Sequence, residues 1–205
     1  MPCVVNQTKE FPHMNKTLIA LIVVSAFSSA ALAADDTEAR YREESRKTAQ
    51  EFMQKLGGTL KEQLQAGGPE QAVAVCKQVA PALAAEYSKD GRSVKRVSLK
   101  PRNRALGTPD AWEERWLQHF EQDLRQGKPI AEMEADAITD GPDGRWYRYV
   151  KAIPTQQMCL QCHGQDYQIP PGVKALLGKE YPDDQATGYS AGMVRGAITI
   201  RRKLD

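Results

Sequence analysis

The amino-acid sequence predicts an α+β fold, in which helices accompany a small antiparallel sheet. Apolar residues recur at three- and four-residue steps over residues 35–65 and 108–127, which is the spacing of amphipathic helices. Basic and apolar residues alternate over residues 93–99, a pattern typical of a strand with one buried face. The turn sequence Asp140-Gly-Pro-Asp-Gly144 is flanked by two segments with strand composition, as expected for a hairpin. Helices interspersed with short hairpin-forming strands are typical of the α+β class.

The first two predicted helices meet at a glycine-proline break. The first covers residues 35–65, with Gly57-Gly58 as a weak point, and Gly67-Gly68-Pro69 ends it. Pro69 suits the first position of the second helix. Pro81 is expected to kink or end the second helix, because proline lacks the N–H that would bond to Lys77. In this second helix an apolar stripe is expected to face inward and to include Cys76: Ala72, Cys76, Val79, Ala80 and Leu83.

The remaining elements follow in order along the chain. Thr108 is expected to cap a third helix that has Pro109 at its first position and ends at Gly127-Lys-Pro129. Hairpin strands are expected over residues 135–138 and 145–153. A short helix around residues 173–177 and a final strand over residues 193–201 complete the prediction.

The N-terminal region has the three parts of a secretory signal peptide. Met14-Asn-Lys16 is a positive n-region, Leu18 to Phe27 is an apolar h-region, and Ala31-Leu-Ala33 is a cleavage site. Residues 1–33 are therefore predicted to be an upstream extension plus signal peptide, with the natural start at Met14, and residues 34–205 a single domain in the periplasm. The apolar run is shorter than the ~20 residues that span a bilayer, so no integral membrane segment is expected after cleavage. An uncleaved anchor is the alternative.

The charge balance argues against nucleic acids and anionic membranes as partners. The sequence has a formal net charge of +2, and it contains no block of like charges. Nucleic acids and anionic membranes are bound through strongly basic surfaces, so neither is expected here.

The sequence Cys159-Leu-Gln-Cys162-His163 matches the attachment pattern of c-type haem. Two thiols at this spacing reach the two vinyl groups on one side of the porphyrin, and the adjacent histidine binds the iron. One covalently bound haem c is therefore predicted, with Cys159, Cys162 and His163 as its attachment and ligand residues. A zinc site that includes Cys76 and a thioredoxin-like redox pair are the alternatives. The trailing histidine and the export signal favour haem.

A second axial ligand would have to come from elsewhere in the chain. The candidates are Cys76, His119, Met53, Met133, Met158 and Met193. Cys76 is preferred because it is left unpaired and because a thiolate binds ferric iron strongly, although free cysteine is also common as a small buried hydrophobe. His119 lies at the edge of an apolar helix face and is expected to be a half-exposed surface residue. Met158 is tethered to the wrong side of the ring, Met53 and Met133 suit the core, and Met193 stays open.

Several further motifs accompany the haem pattern along the chain: Ala74-Val-Cys76, Arg96-Val-Ser98, Arg102-Asn103, Pro109-Asp-Ala-Trp112-Glu113, Tyr181-Pro-Asp-Asp-Gln-Ala-Thr-Gly188-Tyr189 and Arg195-Gly-Ala197. With these motifs, the chain resembles a family of exported c-type haem proteins with a PAS-like fold. Members occur as stand-alone cytochromes and as sensory ectodomains of bacterial receptors and kinases. The resemblance implies a haem cradled by helices and an antiparallel sheet, with His163 on one face and, in some members, the cysteine matching Cys76 on the other.

Three further residues are candidates for the haem pocket. Arg102 and Arg195 are expected to neutralise the haem propionates, since guanidinium pairs well with carboxylate, and solvated arginines are the alternative. Trp112 is a candidate to line the pocket, although aromatic residues at helical spacing are more often core.

The functions that follow are redox or gas sensing, or low-potential electron transfer. Sensing would involve CO or NO as a ligand, or a change of redox state, and a separate signalling protein, because no signalling domain follows in this sequence. Electron transfer would involve redox partner proteins. A peroxidase-type activity is the weaker alternative, because His119 is the only acid–base candidate, so the protein is expected not to be an enzyme.

Overall fold

The computed structural model describes the backbone of residues 16–204 and the side chains of residues 36–204. The chain divides into two units between Arg40 and Tyr41, and the second unit contains the sheet and the site described below. The predicted start at Met14 lies outside the described residues, and so do the side chains of the predicted signal peptide and its cleavage site. Within the part of the chain that is described, no helix has both the length and the apolar character needed to cross a membrane.

Helices and strands alternate along the chain in the following order. The helices are α1 (Lys16–Ala74), α2 (Ala80–Tyr87), α3 (Arg104–Gly107), α4 (Ala111–Arg125), α5 (Leu160–His163) and α6 (Pro171–Glu180). The strands are β1 (Arg92–Val97), β2 (Glu134–Gly141), β3 (Gly144–Pro154) and β4 (Val194–Leu204). A π-helical turn, Val75–Val79, joins α1 to α2, and short 3₁₀ turns cover Ile130–Glu132, Gln157–Cys159 and Asp166–Gln168.

The strands form one antiparallel four-stranded sheet in the order β1-β4-β3-β2. β2 and β3 are a hairpin closed at Gly141 and Gly144, and β3 pairs with β4 along its whole length. The register shifts by one residue where Ile153 faces Gly196 and Pro154 faces Val194, so Arg195 is the extra residue of a β-bulge. Bulges of this kind redirect a side chain.

Helices cover both faces of the sheet. One core cluster joins α1, the π-helical turn and α2 to the sheet residues Val94, Tyr147, Tyr149, Ile198 and Ile200. A second cluster joins α4 to the opposite face through Val97, Val150, Ala152, Val194 and Ala197. Successive residues of β3 and β4 belong alternately to the first and the second cluster. This alternation is expected of strands that are buried on both faces. The predicted α+β, PAS-like architecture is confirmed.

Most predicted elements are present, and several of their bounds are shifted. Gly68 leaves helical geometry with φ at 75°, which confirms the predicted break before Pro69. The predicted third helix corresponds to α4. It starts two residues later than expected, because its cap is Asp110 and not Thr108. The Asp110 carboxylate accepts hydrogen bonds from the backbone N–H groups of Trp112 and Glu113, and the Glu113 side chain bonds back to Asp110. This reciprocal capping box satisfies more backbone donors than a cap at Thr108 would.

Candidate functional site

The Cys-x-x-Cys-His sequence lies on two short turns directly after β3. Cys159 ends a 3₁₀ turn, and Cys162 and His163 lie in the single helical turn α5. Gly164 follows His163, and a Cβ at that position would stand 2.5 Å from the carbonyl oxygen of Leu160. Only glycine allows the backbone to turn this tightly after the histidine.

The imidazole of His163 is held in one tautomer. Its Nδ1 stands 2.7 Å from the carbonyl oxygen of Ala186. A carbonyl can only accept, so Nδ1 carries the proton and Nε2 keeps its lone pair. Burial lowers the pKa of His163 well below its usual value, and the positive charges of Arg195 and Arg102 add to this effect. The ring is therefore neutral near pH 7, as an iron or zinc ligand must be.

The segment that supplies the Ala186 carbonyl is bound to the histidine turn along its backbone. The N–H of Tyr189 donates to the carbonyl of His163 at 2.9 Å, and the N–H of Gly188 donates to that of Gly164 at 2.8 Å. The Tyr189 ring also stands edge-on to the imidazole, with centroids 6.3 Å apart. These contacts fix the orientation of the ring, as outer partners do for many metal-binding histidines.

Arg102 joins the histidine turn to the same segment. Its Nε donates to Asp184 at 3.0 Å, and its Nη2 donates to the carbonyl of Cys162. The second oxygen of Asp184 accepts the N–H of Ala186 at 2.8 Å. Part of the guanidinium is thus already committed to protein groups, so Arg102 holds the site together whatever else it contacts.

Arg195 has no such acidic partner among the described residues. The bulge in β4 brings its Nη1 to 3.0 Å from the Ser98 hydroxyl, and its guanidinium lies 5.1 Å from the centroid of the Tyr189 ring. Its Nε is buried without a hydrogen-bond partner. Burial lowers the pKa of Arg195 to about 10, which leaves the group charged at neutral pH. A buried cation without a counter-ion is costly, so this position suits an anionic group from outside the chain.

Gly196 makes the bulge possible. Its φ is +155°, and a Cβ there would stand 2.3 Å from the carbonyl oxygen of Val97. The motif Arg195-Gly-Ala197 thus combines the redirected arginine with the glycine that its backbone requires.

Cys76 lies in the π-helical turn, and the two sheet-core clusters of the described residues do not include it. Cys162 packs against a third cluster, which joins Val73 to Ile169, Val173, Leu177 and Tyr181. Burial raises the pKa of the Cys162 thiol to about 11, and the nearby thiols of Cys76 and Cys159 contribute to the rise. Burial likewise raises the pKa of Tyr181 to about 12, again with a contribution from Cys76. Lys77, which follows Cys76 in the π-helical turn, forms an ion pair with Glu180 of α6.

The expected inward stripe needs a correction at Cys76. Val75 shares the sheet-facing cluster with Ala80 and Leu83, whereas Cys76 is only half-buried. The π-helical turn is the reason. It contains one residue more than an α-helical turn, so the residues before it are rotated by about one position relative to α2.

The other ligand candidates are placed as follows. His119 has a 49% exposed side chain, stands 3.6 Å from Asp123 and packs edge-on to Trp116, which confirms that it is a half-exposed helix residue. Met133 is buried between α4 and the sheet, and Met53 packs against the other core cluster, as expected. Met158 is half-buried, and Met193 is 40% exposed with its sulfur accepting the N–H of Ser190.

Trp112 is a core residue of α4. Its ring lies under the guanidinium of Arg148, 4.4 Å from the centroid, and packs edge-on to Trp116. These contacts stabilise α4 on the sheet, and a role for Trp112 in the haem pocket stays a prediction.

The two alternatives to haem find little support in this arrangement. In the described residues 36–204, no three side chains among His, Cys, Asp and Glu are grouped so that they could hold a metal ion. The raised pKa of Cys162 is the opposite of the lowered pKa that activates a thioredoxin-like cysteine.

Sequence reasoning missed the segment that orients the histidine. Asp184, the Ala186 carbonyl and Tyr189 all lie in the motif of residues 181–189, which was noted only as part of a resemblance. Its Asp-Asp and Gly-Tyr pairs carry no chemical signature by themselves. A backbone carbonyl is invisible to motif reading, because every residue has one.

The residues present fit a covalently attached haem. They comprise two free thiols at the required spacing, a neutral imidazole with a free Nε2, and an arginine with a buried unpartnered Nε that forms no ion pair with the described residues.

Comparisons with known proteins bear on the family and on the fold. The sequence model of the family described as Tll0287-like (Tll0287) matches residues 28–202. The crystal structure of the cyanobacterial haem protein Tll0287 matches with a TM-score of 0.57 at 23% identity, covering 81% of this chain and 96% of that chain. At this identity the likeness bears on the fold alone. No curated protein matches.

Proposed function

The chain belongs to the Tll0287-like family, and from this premise we propose that it is an exported c-type haem protein that acts in redox or gas sensing. The observation that carries the haem assignment is the neutral His163, with its Nδ1 donating to Ala186 and its Nε2 free, beside Cys159 and Cys162. The solved structure that shares this fold is itself described as that of a haem protein. Export rests on the signal-peptide pattern of residues 14–33.

In this proposal the two thiols of the motif attach the cofactor. Each thiol adds across one vinyl group, so that the sulfur bonds to one carbon, the hydrogen goes to the other, and no oxidant is consumed. His163 would hold the iron through Nε2, while the Ala186 carbonyl holds its ring in place. Arg195 would neutralise a propionate, since no carboxylate of the described residues forms an ion pair with it. A bound haem would supply an iron that changes redox state and accepts two axial ligands.

Cys76 would be the second residue to hold the iron in this proposal. The ion pair of the next residue, Lys77, with Glu180 of α6 supports a position on the side of the cluster against which Cys162 packs. Thiolate ligation favours the ferric state, and therefore implies a low reduction potential. In the sensing hypothesis Cys76 would release the iron, the helices on either side of the π-helical turn would shift, and a partner protein would detect the shift in populations.

Low-potential electron transfer is the alternative. Two exposed side chains support it, Tyr167, which follows the motif by four residues and is 86% exposed, and Met193, which is 40% exposed, because exposed apolar groups favour transient docking. An enzymatic role is not proposed, since His119 interacts with Trp116 and Asp123 on α4 and not with the residues around His163.

The spectrum of the dithionite-reduced holoprotein with and without carbon monoxide separates these two functions. We expect a prompt shift on adding the gas, because Cys76 would have left its ligand position. An unchanged spectrum would mean that both axial positions stay closed, and electron transfer would then be the better proposal. Cys76→Ser tests the ligand itself. We expect it to remove the thiolate-type low-spin ferric spectrum, and an unaltered ferric spectrum would contradict Cys76 ligation.

A further inference from the structure

The π-helical turn between α1 and α2 is directly followed by Pro81. The N–H of Ala80 bonds to the carbonyl of Val75, five residues back, where an α-helix would bond to Cys76. Proline at position 81 has no N–H for the Lys77 carbonyl, and in an α-helix its ring would clash with that carbonyl. The wider winding of a π-helical turn relieves such a clash. Pro81 is thus the physical reason for the π-helical turn.

The turn decides which residue faces the sheet. In an uninterrupted α-helix, which advances about 100° per residue, Cys76 would share a face with Ala80 and Leu83. The structure instead places Val75 in the sheet-facing cluster with Ala80 and Leu83. Cys76 is displaced by about one position, toward the side of Val73.

That side is the side of the haem motif. Val73 belongs to the cluster of α6 residues against which Cys162 packs. Cys76 lies three residues after Val73, and residues at this spacing share one side of a helix. The ion pair from Lys77 to Glu180 anchors the same side of the turn on α6.

We infer that Pro81 is a positioning residue for Cys76: by imposing the π-helical turn, it directs the thiol toward the haem motif and away from the sheet core. This inference rests on the proposed haem ligation by Cys76. It assigns to Pro81 a part in deciding which residue holds the iron.

Pro81→Ala tests the inference in the holoprotein. The new N–H can bond to the Lys77 carbonyl, so the segment is expected to become α-helical and Cys76 to take the sheet-facing position of Val75. We expect the ferric electron paramagnetic resonance signal of a thiolate-ligated low-spin haem to be lost, while the haem stays attached. Pro69→Ala is the matched control, since Pro69 lies where a helix has no partner for its N–H, and we expect it to keep the signal.

A register rescue distinguishes positioning from general disruption. If the segment becomes α-helical, Lys77 takes the position that Cys76 now holds. The triple variant Cys76→Val, Lys77→Cys, Pro81→Ala is therefore expected to regain the thiolate signal. The double variant Cys76→Val, Lys77→Cys, which keeps Pro81, should not show the thiolate signal.

The outcomes separate this inference from the ligand proposal. If Cys76→Ser removes the signal and Pro81→Ala keeps it, Cys76 is a ligand but Pro81 does not position it. If Cys76→Ser changes nothing, the ligand proposal itself fails. Should Pro81→Ala not fold, the triple variant decides the matter: its thiolate signal supports the inference, and a folded triple variant without that signal overturns it.

Discussion

At the scale of single residues, the site contains a positive charge, Arg195, that forms no ion pair with the described residues. Arg195 contacts a hydroxyl and an aromatic ring, and its Nε has no partner. Arg102 is different, since Asp184 pairs with it at 3.0 Å. Burying a cation without a counter-ion costs several kcal/mol in a protein, and this cost is recovered only when an anion binds. Of these two arginines, Arg195 is therefore the one whose removal should change the properties of the cofactor more directly.

Arg195→Met is expected to lower the midpoint potential of the holoprotein. A positive charge beside the haem favours the reduced state, which carries one more electron, so its removal favours the oxidised state. Potentiometric titration measures the change. Arg201→Met is the matched control, because Arg201 also lies on β4, over the Trp146 ring at 4.3 Å, with a buried unpartnered Nε. Equal shifts from both variants would show that Arg195 has no special relation to the haem.

At the scale of elements, the start of α4 is fixed by one buried carboxylate. Glu113 is fully buried, and it accepts from the Asp110 N–H at 2.9 Å and from the Thr199 hydroxyl at 3.0 Å. Lys95 and Arg148 neutralise its charge at 3.0 and 3.3 Å. Glu113 therefore connects the cap of α4 to β1, β3 and β4 at once.

Glu113→Ala is expected to lower the free energy of unfolding by about 3–5 kcal/mol, because it leaves buried donors and charges without their partner. Urea unfolding of the holoprotein measures this loss. Glu114→Ala, at the next and exposed position of the same helix turn, should change stability by no more than about 0.5 kcal/mol. A loss below about 1 kcal/mol for Glu113→Ala would show that solvent replaces its partners.

The elements also show what the sequence could and could not predict. The hairpin, the break at Gly68 and the final strand follow from local patterns, and the structure confirms them. The two-residue error at the start of α4 arose because the Asp110 cap depends on Glu113, whose burial is decided by distant strands. The facing of Cys76 could not be read from an α-helical period, since the π-helical turn breaks that period just where Cys76 lies. The sequence also could not predict that the Ala186 carbonyl orients His163, because the position of this carbonyl depends on tertiary structure.

At the scale of the whole molecule, α1 is joined to the sheet by an apolar interface and by ion pairs along its rim. Arg46 pairs with Glu134 of β2, and the Tyr149 hydroxyl donates to the same carboxylate at 2.8 Å. Arg42 pairs with Asp136 at 2.8 Å two residues further along β2. Burial would raise the pKa of Glu134, but the hydrogen bonds from Arg46 and Tyr149 and the charge of Lys151 outweigh it and hold the pKa at about 2.

This carboxylate predicts part of the acid sensitivity of the protein. Its pKa lies below the usual value of 4.5, so its stabilising contribution is complete above about pH 5 and is lost as the pH falls toward about 2. Glu134→Gln should lower the free energy of unfolding at pH 7 by up to about 3 kcal/mol, and the difference from the natural protein should shrink at low pH. Urea unfolding at pH 7 and pH 3 tests this, with the exposed Glu132→Gln as the control. A difference that does not depend on pH would contradict it.

The pairing of β3 with β4 also sets an order of folding. These strands are adjacent in the sheet, but residues 155–193, which carry the haem motif and the segment that orients His163, lie between them in the chain. Closing a loop of this length costs about 3 kcal/mol of chain entropy, whereas the tight β2–β3 hairpin closes at far lower cost. We therefore expect the hairpin to form first and β4 to dock afterwards. During that interval the two attachment thiols would remain on an open chain, accessible to whatever machinery joins haem to them, and the closing of the sheet would then enclose the finished site.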